Sequence, residues 1–187
     1  DSLPDGWGML LMDRFLNSTF GDGTAYTVTA LDRLAYMSDR AMGAFEYHPK
    51  AERESLRGAV NLAELFEAAV EVLSGETSTV LTKLRLAGGS PGGARPKAIV
   101  AMSPDGSHAT SAFGQIPPGY DHWIVKFRAP GEPVETGAME YAYYLMARDA
   151  GVEMADSSVL NVTMPDGSRE GFFATKRFDR EGDKKLH

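Results

Sequence analysis

Four glycines, Gly88, Gly89, Gly92 and Gly93, surround Ser90-Pro91, and Ala94-Arg95-Pro96-Lys97 follows directly. Glycine admits φ > 0 and lets a bulky group approach the main chain closely. Successive N–H groups in such a loop can point into one concavity and hold an anion. Lys97 adds a positive charge where the loop ends. The loop leads into Ala98-Ile99-Val100-Ala101-Met102, which reads as a strand, since Pro96 does not suit a helix interior. This is therefore neither a G-x-x-x-x-G-K-[ST] loop opening a helix nor a G-x-G-x-x-G turn. On its own the stretch reads first as a Gly/Pro turn in a sheet and second as a phosphate loop.

A second pair of residues bears on that choice. Trp123-Ile124-Val125-Lys126-Phe127 alternates as a strand does, with Ile124 and Lys126 on one face and Trp123, Val125 and Phe127 on the other. Residues 135–150 follow as a helix that ends at Gly151 and is apolar over most of its circumference. Glu140 shares a face there with Tyr144 and Ala147. An ionised carboxylate on a buried face is costly unless paired, and Lys126 on the preceding strand is the natural partner. Two plainer readings stand beside it: Lys126 on a solvated sheet face, and Glu140 turned to water. A glycine-rich loop between strands, with a strand Lys paired to a helix Glu, is how protein kinases hold ATP phosphates. Residues 159–163 and 171–178 then form a hairpin around Met164-Pro165-Asp166-Gly167. It runs into Lys176-Arg177-Phe178-Asp179-Arg180, either an ordinary charged strand end or a hinge whose backbone holds adenine, with Phe178 over the ring.

The elements that must position these groups are legible in part. Residues 9–16 and 29–37 carry apolar residues at helical spacing, and Thr29 can cap the second. Residues 41–47 read as a strand, with Phe45 and Tyr47 on one face. Residues 61–73 are the clearest helix: Asn61 and Glu64 resemble a capping box, and Gly75 stands where a C-terminal cap belongs. Ser103-Pro104-Asp105-Gly106 is a turn that lets residues 107–114 pair back on the strand after the loop. The division expected is a mostly helical scaffold over 1–85, without a cluster of catalytic residue types, and a β-rich unit with one helix over 86–187.

Composition narrows the classes. The chain has 187 residues, a net charge of −7 and no cysteine. A dominant nucleic-acid-binding surface is not expected at that charge. No thiolate can bind metal, and a cytoplasmic setting fits the absence of disulfides. No apolar run approaches the ~18 residues of a membrane span, and no signal-peptide pattern opens the chain. The start at Asp1 without Met and the stop at His187 lead us to expect a piece of a longer protein.

Taken in order, the words Leu3-Pro4-Asp5-Gly6-Trp7-Gly8, Asp13-Arg14, Met42-Gly43-Ala44, Ser90-Pro91-Gly92-Gly93-Ala94-Arg95-Pro96-Lys97, Trp123-Ile124-Val125-Lys126-Phe127, Glu140-Tyr141-Ala142 and Lys176-Arg177-Phe178-Asp179-Arg180 closely resemble the HipA family of bacterial toxin kinases. The resemblance implies an α+β fold, the N-terminal lobe of a protein-kinase-like architecture related to the phosphatidylinositol 3/4-kinases, with an antiparallel sheet and helices, cut at the hinge. It implies ATP and Mg²⁺ and a serine/threonine protein target such as glutamyl-tRNA synthetase. It also implies a HipB-like antitoxin partner in a toxin–antitoxin system linked to persistence, with DNA reached only through the antitoxin. Residue by residue, Gly92, Gly93, Ala94, Arg95, Pro96 and Lys97 would be the phosphate loop. Lys126 would be the phosphate lysine, Glu140 its helix partner, and Lys176, Arg177 and Phe178 the adenine hinge. Ser90 occupies the serine that relatives autophosphorylate. The family's catalytic Asp loop and metal-binding Asp are expected beyond His187, so no catalytic residue and no metal ligand is assigned here, and the fragment alone is expected to be inactive. Two other readings remain: a non-catalytic module that binds an antitoxin or other partner, and a small-molecule or lipid kinase of the same fold.

Overall fold

A computed structural model describes residues 3–49, 58–75, 84, 87 and 92–186. Helices α1 Gly6–Phe20, α2 Thr24–Thr27, α3 Ala30–Met37 and α4 Leu62–Ser74 come first among the described elements. Strands β1 Lys97–Met102, β2 Ala109–Ser111 and β3 Asp121–Lys126 follow, then helix α5 Thr136–Asp149. Strands β4 Ser157–Thr163 and β5 Arg169–Lys176 come next, and β6 Arg180–Glu181 with β7 Lys184–Lys185 closes the described chain. Strands one to five form an antiparallel sheet in the order β2-β1-β3-β5-β4, which makes the fold α+β.

Local chemistry explains most boundaries. The Thr29 hydroxyl accepts from the Asp32 N–H, and the Asp32 carboxylate accepts from the Thr29 N–H, so α3 opens on a reciprocal cap. Asn61 Oδ1 accepts from the N–H groups of Ala63 and Glu64, and Gly75 closes α4 at φ 92°. Helix α1 is longer than the periodicity suggests, and it begins at Gly6 rather than residue 9. Residues 41–47 are not a strand. The outer edge of β2 is already taken by residues 58–60, where Val60 N–H donates to Ala109 and Ser111 N–H to the Gly58 carbonyl. Residues 41–47 run irregularly instead, and side chains reach three of their carbonyls. Arg180 donates to Ala41 and Gly43, and Lys185 to Phe45. The β6–β7 ribbon turns on Gly182-Asp183 and was not expected, although the Gly-Asp pair is a legible hairpin signal.

Alternation along the strands divides the sheet into two faces. Ala98, Val100 and Met102 of β1, Val125 of β3 with the Phe127 that follows it, and Phe172 and Ala174 of β5 point into the main core. Trp7 and Leu11 of α1, the apolar stripe of α4, and Leu84 and Ala87 pack there too, so one core draws on both stretches, before and after residue 86. Its centre is three rings: Phe127 and Phe172 centroids lie 4.9 Å apart, and Phe66 lies 5.3 Å from Phe172. On the other face a smaller cluster of Ile99, Ala101, Ala112 and Ile116 covers one end. Helix α5 covers the other, along β4 and β5.

A buried charge cluster ties the C-terminal ribbon to residues 38–47. Arg177 grips Asp179 through Nε at 2.8 Å and Nη2 at 2.6 Å, and the same carboxylate accepts from Gly43 N–H at 2.7 Å. Burial opposes the Asp179 charge, but Arg177, Gly43 and Arg180 outweigh it and hold the carboxyl below its ordinary range. The stabilisation is therefore present above the unfolded carboxylate pKa of about 4 and is lost as pH falls through the depressed folded value. Asp179→Asn should cost about 3–5 kcal/mol at neutral pH, because Arg177 is left buried without its partner. It should also flatten the acid limb of stability, and urea midpoints at pH 7 and pH 3 check both effects.

Candidate functional site

The face of the sheet opposite the main core places two lysines side by side. Lys97 of β1 and Lys126 of β3 are direct cross-strand partners, and like charges there repel. Each is answered separately. Lys126 Nζ lies 2.7 Å from Glu140 Oε2 and 5.3 Å from the centre of the Phe173 ring, on the next strand. Lys97 Nζ turns back and donates to the carbonyls of Gly92 and Gly93. Burial, then the neighbouring Lys126, pushes the Lys97 ammonium below its ordinary pKa, while Asp5 and Glu140 oppose them.

Glu140 reaches the site because of where α5 sits. Thr136, Gly137 and Tyr144 are its buried residues, and Glu140 lies one turn after Gly137 on that same side. A Cβ on Gly137 would stand 2.0 Å from the Gly171 carbonyl oxygen and 3.0 Å from the Phe173 nitrogen. The helix therefore rests backbone to backbone on β5. Its other sides stay open, with Met139, Tyr143 and Met146 exposed, so the wide apolar circumference read from sequence is largely uncovered here.

The second oxygen of Glu140 accepts from Arg95 Nη1 at 2.6 Å, and Arg95 Nε donates to Glu132 at 2.8 Å. The loop is thus bridged to α5 and to the turn before it. Burial opposes the Arg95 charge, but Glu132 and Glu140 outweigh it and raise the pKa. Gly92, Gly93, Ala94 and Arg95 are exposed, and Pro96 is buried with its carbonyl accepting from Phe127 N–H at 2.9 Å. The Gly93 N–H donates to Asp5, whereas the N–H groups of Ala94 and Arg95 have no hydrogen-bond partner among the described residues. Ser90 lies outside the described residues.

The hinge residues divide. Lys176 Nζ pairs with Asp121 at 2.7 Å, and the Arg177 N–H donates to the His122 carbonyl while its side chain holds Asp179. Both side chains are engaged within the protein. Phe178 is 87% exposed and its backbone makes no hydrogen bond to another described residue, which leaves its N–H and C=O available. Sequence reasoning missed Gly137 and missed Asp5-Gly6-Trp7, which grips the loop from the distant N-terminus. No local pattern marks a glycine that matters only for close approach.

Residues 89–187, just over half of the chain, match the family described as HipA-like C-terminal domain. No curated protein matches the chain.

The seat of α5 gives a direct test. Gly137→Ala should lift the helix from β5 and cost about 1–3 kcal/mol, as overpacking does. It should also separate Glu140 from Lys126. Denaturant midpoints read the first effect, and a crystal structure or NMR of the Lys126 side chain reads the second.

Proposed function

The chain belongs to the HipA-like C-terminal domain family, and from that premise we propose that it is the nucleotide-clamping lobe of a serine/threonine protein kinase. One observation carries the reading: the Lys126–Glu140 pair at 2.7 Å on the open sheet face, beside a glycine loop with unengaged N–H groups. A kinase lysine must present its ammonium to phosphate oxygens without collapsing onto the sheet, and a helix carboxylate holds it there. Here the carboxylate is shared with Arg95, so a second cation stands at the same place. The Ala94 and Arg95 N–H groups add oriented dipoles of the kind that hold anions. The exposed Phe178 backbone supplies the donor and acceptor that an adenine edge needs.

ATP fits these residues as a phosphate ligand. Mg²⁺ in such sites is held by one or two carboxylates together with the nucleotide's own phosphates. In this reading the residues assigned here hold the nucleotide, and none of them is assigned to a metal or to orienting the nucleophile. The family resemblance supports a toxin role, a protein substrate such as a tRNA synthetase, and a HipB-like antitoxin. No helix among the described residues is long and apolar enough to cross a membrane. A partner-binding role is the second reading, favoured by the uncovered Met139, Tyr143 and Met146 on α5.

Calorimetric titration of ATP with Mg²⁺ into the chain tests the proposal. Lys126→Met should weaken binding by about tenfold or more, the scale of a lost charge-assisted contact. Glu140→Gln should weaken it less, since Lys126 keeps its charge and loses only its tether. Equal affinity of Lys126→Met and the parent chain would refute the reading.

A further inference from the structure

The N-terminal entry to α1 holds the glycine loop at three points. Gly93 N–H donates to Asp5 Oδ1 at 2.9 Å, and Gly93 O accepts from Trp7 N–H at 3.1 Å. Trp7 Nε1 donates to the Lys97 carbonyl at 3.0 Å. The two side-chain contacts among them join residues 88 and 90 positions apart in sequence. Gly6 between them has φ +42°, and a Cβ there would stand 2.5 Å from the Gly93 oxygen. The loop is shaped to the same fit, because a Cβ on Gly92 would meet the Asp5 carboxylate at 3.2 Å. Trp7 itself is 2% exposed and belongs to the main core with α4 and β1. The loop is thus anchored to the main core.

We propose that Asp5, Gly6 and Trp7 are positioning residues for the nucleotide loop. Glycine-rich backbone has many conformations of similar energy, and a ligand that must order it binds more weakly for that reason. The clamp removes this disorder in advance. It engages the N–H of Gly93 and leaves those of Ala94 and Arg95 on the same loop to meet an anion. Asp5 touches no phosphate in this arrangement and acts only through Gly93. The inference rests on the nucleotide reading for its functional effect and stands apart from it in its structural one.

Two readouts on the whole chain separate the cases. Asp5→Ala and Trp7→Phe should speed exchange of the Gly93 amide by about five- to tenfold, the worth of one hydrogen bond. Asp5→Ala should weaken ATP binding several-fold with little change in melting temperature, since Asp5 is exposed. Asp5→Asn keeps an acceptor oxygen and should restore most of the affinity. If Asp5→Ala and Asp5→Asn both bind ATP more tightly than the parent, Asp5 competes with phosphate and the clamp is overturned. Unchanged Gly93 exchange in both Asp5→Ala and Trp7→Phe overturns it as well. If the parent chain binds no ATP, the nucleotide reading fails, while amide exchange still decides whether the clamp exists.

Discussion

Helix α5 lies where it does because Gly137 has no side chain. Its backbone comes so close to the Gly171 carbonyl that no Cβ could fit between them. The place of Glu140 on the open face follows from that contact. Glu140 stands one turn further along, and at this height its carboxylate meets Lys126 directly. On a helix resting on ordinary side chains, several ångströms higher, Glu140 would reach for water instead. The helix gains little from burial of its own, since Met139, Tyr143 and Met146 remain exposed. Close backbone packing, held by the sheet beneath, takes the place of a large apolar interface.

The charges gathered there are balanced rather than basic. Arg95, Lys97 and Lys126 face Asp5, Glu132 and Glu140 within one connected set of contacts. The chain as a whole carries −7, so long-range steering does not draw an anion in. What the site offers is short-range: cations whose present partners can be exchanged. The Arg95 side chain is 43% exposed in its pairs with Glu132 and Glu140, and exposed pairs are worth only about 0–1 kcal/mol. A phosphate can displace such a bridge easily. The Arg177–Asp179 pair differs in kind, buried at 2% and 10% side-chain exposure and anchored further by Gly43 and Arg180. It holds structure, and nothing at the site depends on its opening.

The sequence was informative where the physics is local. Caps at Thr29, Asn61 and Gly75 lie within a few residues of what they cap. Alternation in Trp123-Ile124-Val125-Lys126-Phe127 is a two-residue period and assigns faces directly. Even the Lys126–Glu140 pair was within reach, because a carboxylate among apolar helix residues needs a cation nearby. The failures share one cause. Residues 41–47 have strand-like composition, yet it is residues 58–60 that pair with the edge of β2, a choice of partner made in three dimensions. Gly6 and Gly137 matter for what lies against them from another part of the chain. Residues before 86 read as scaffold, yet Asp5 and Trp7 reach the loop because α1 begins beside it, a fact of tertiary placement alone.

The two halves of the site are fixed by the same device used twice. Gly6 approaches the carbonyl of Gly93, and Gly137 approaches the carbonyl of Gly171. In each case a glycine meets the backbone of another glycine, so both sides of the contact lack a Cβ. One contact sets the loop and the other sets the helix. Between loop and helix, the described side-chain link is Arg95, bonded to Glu132 and Glu140. Two elements seated by close backbone contact are thus joined by one exposed side chain. On the reading proposed above, a nucleotide need not move the helix to reach that side chain. It has only to take over the cation that Glu132 and Glu140 now share.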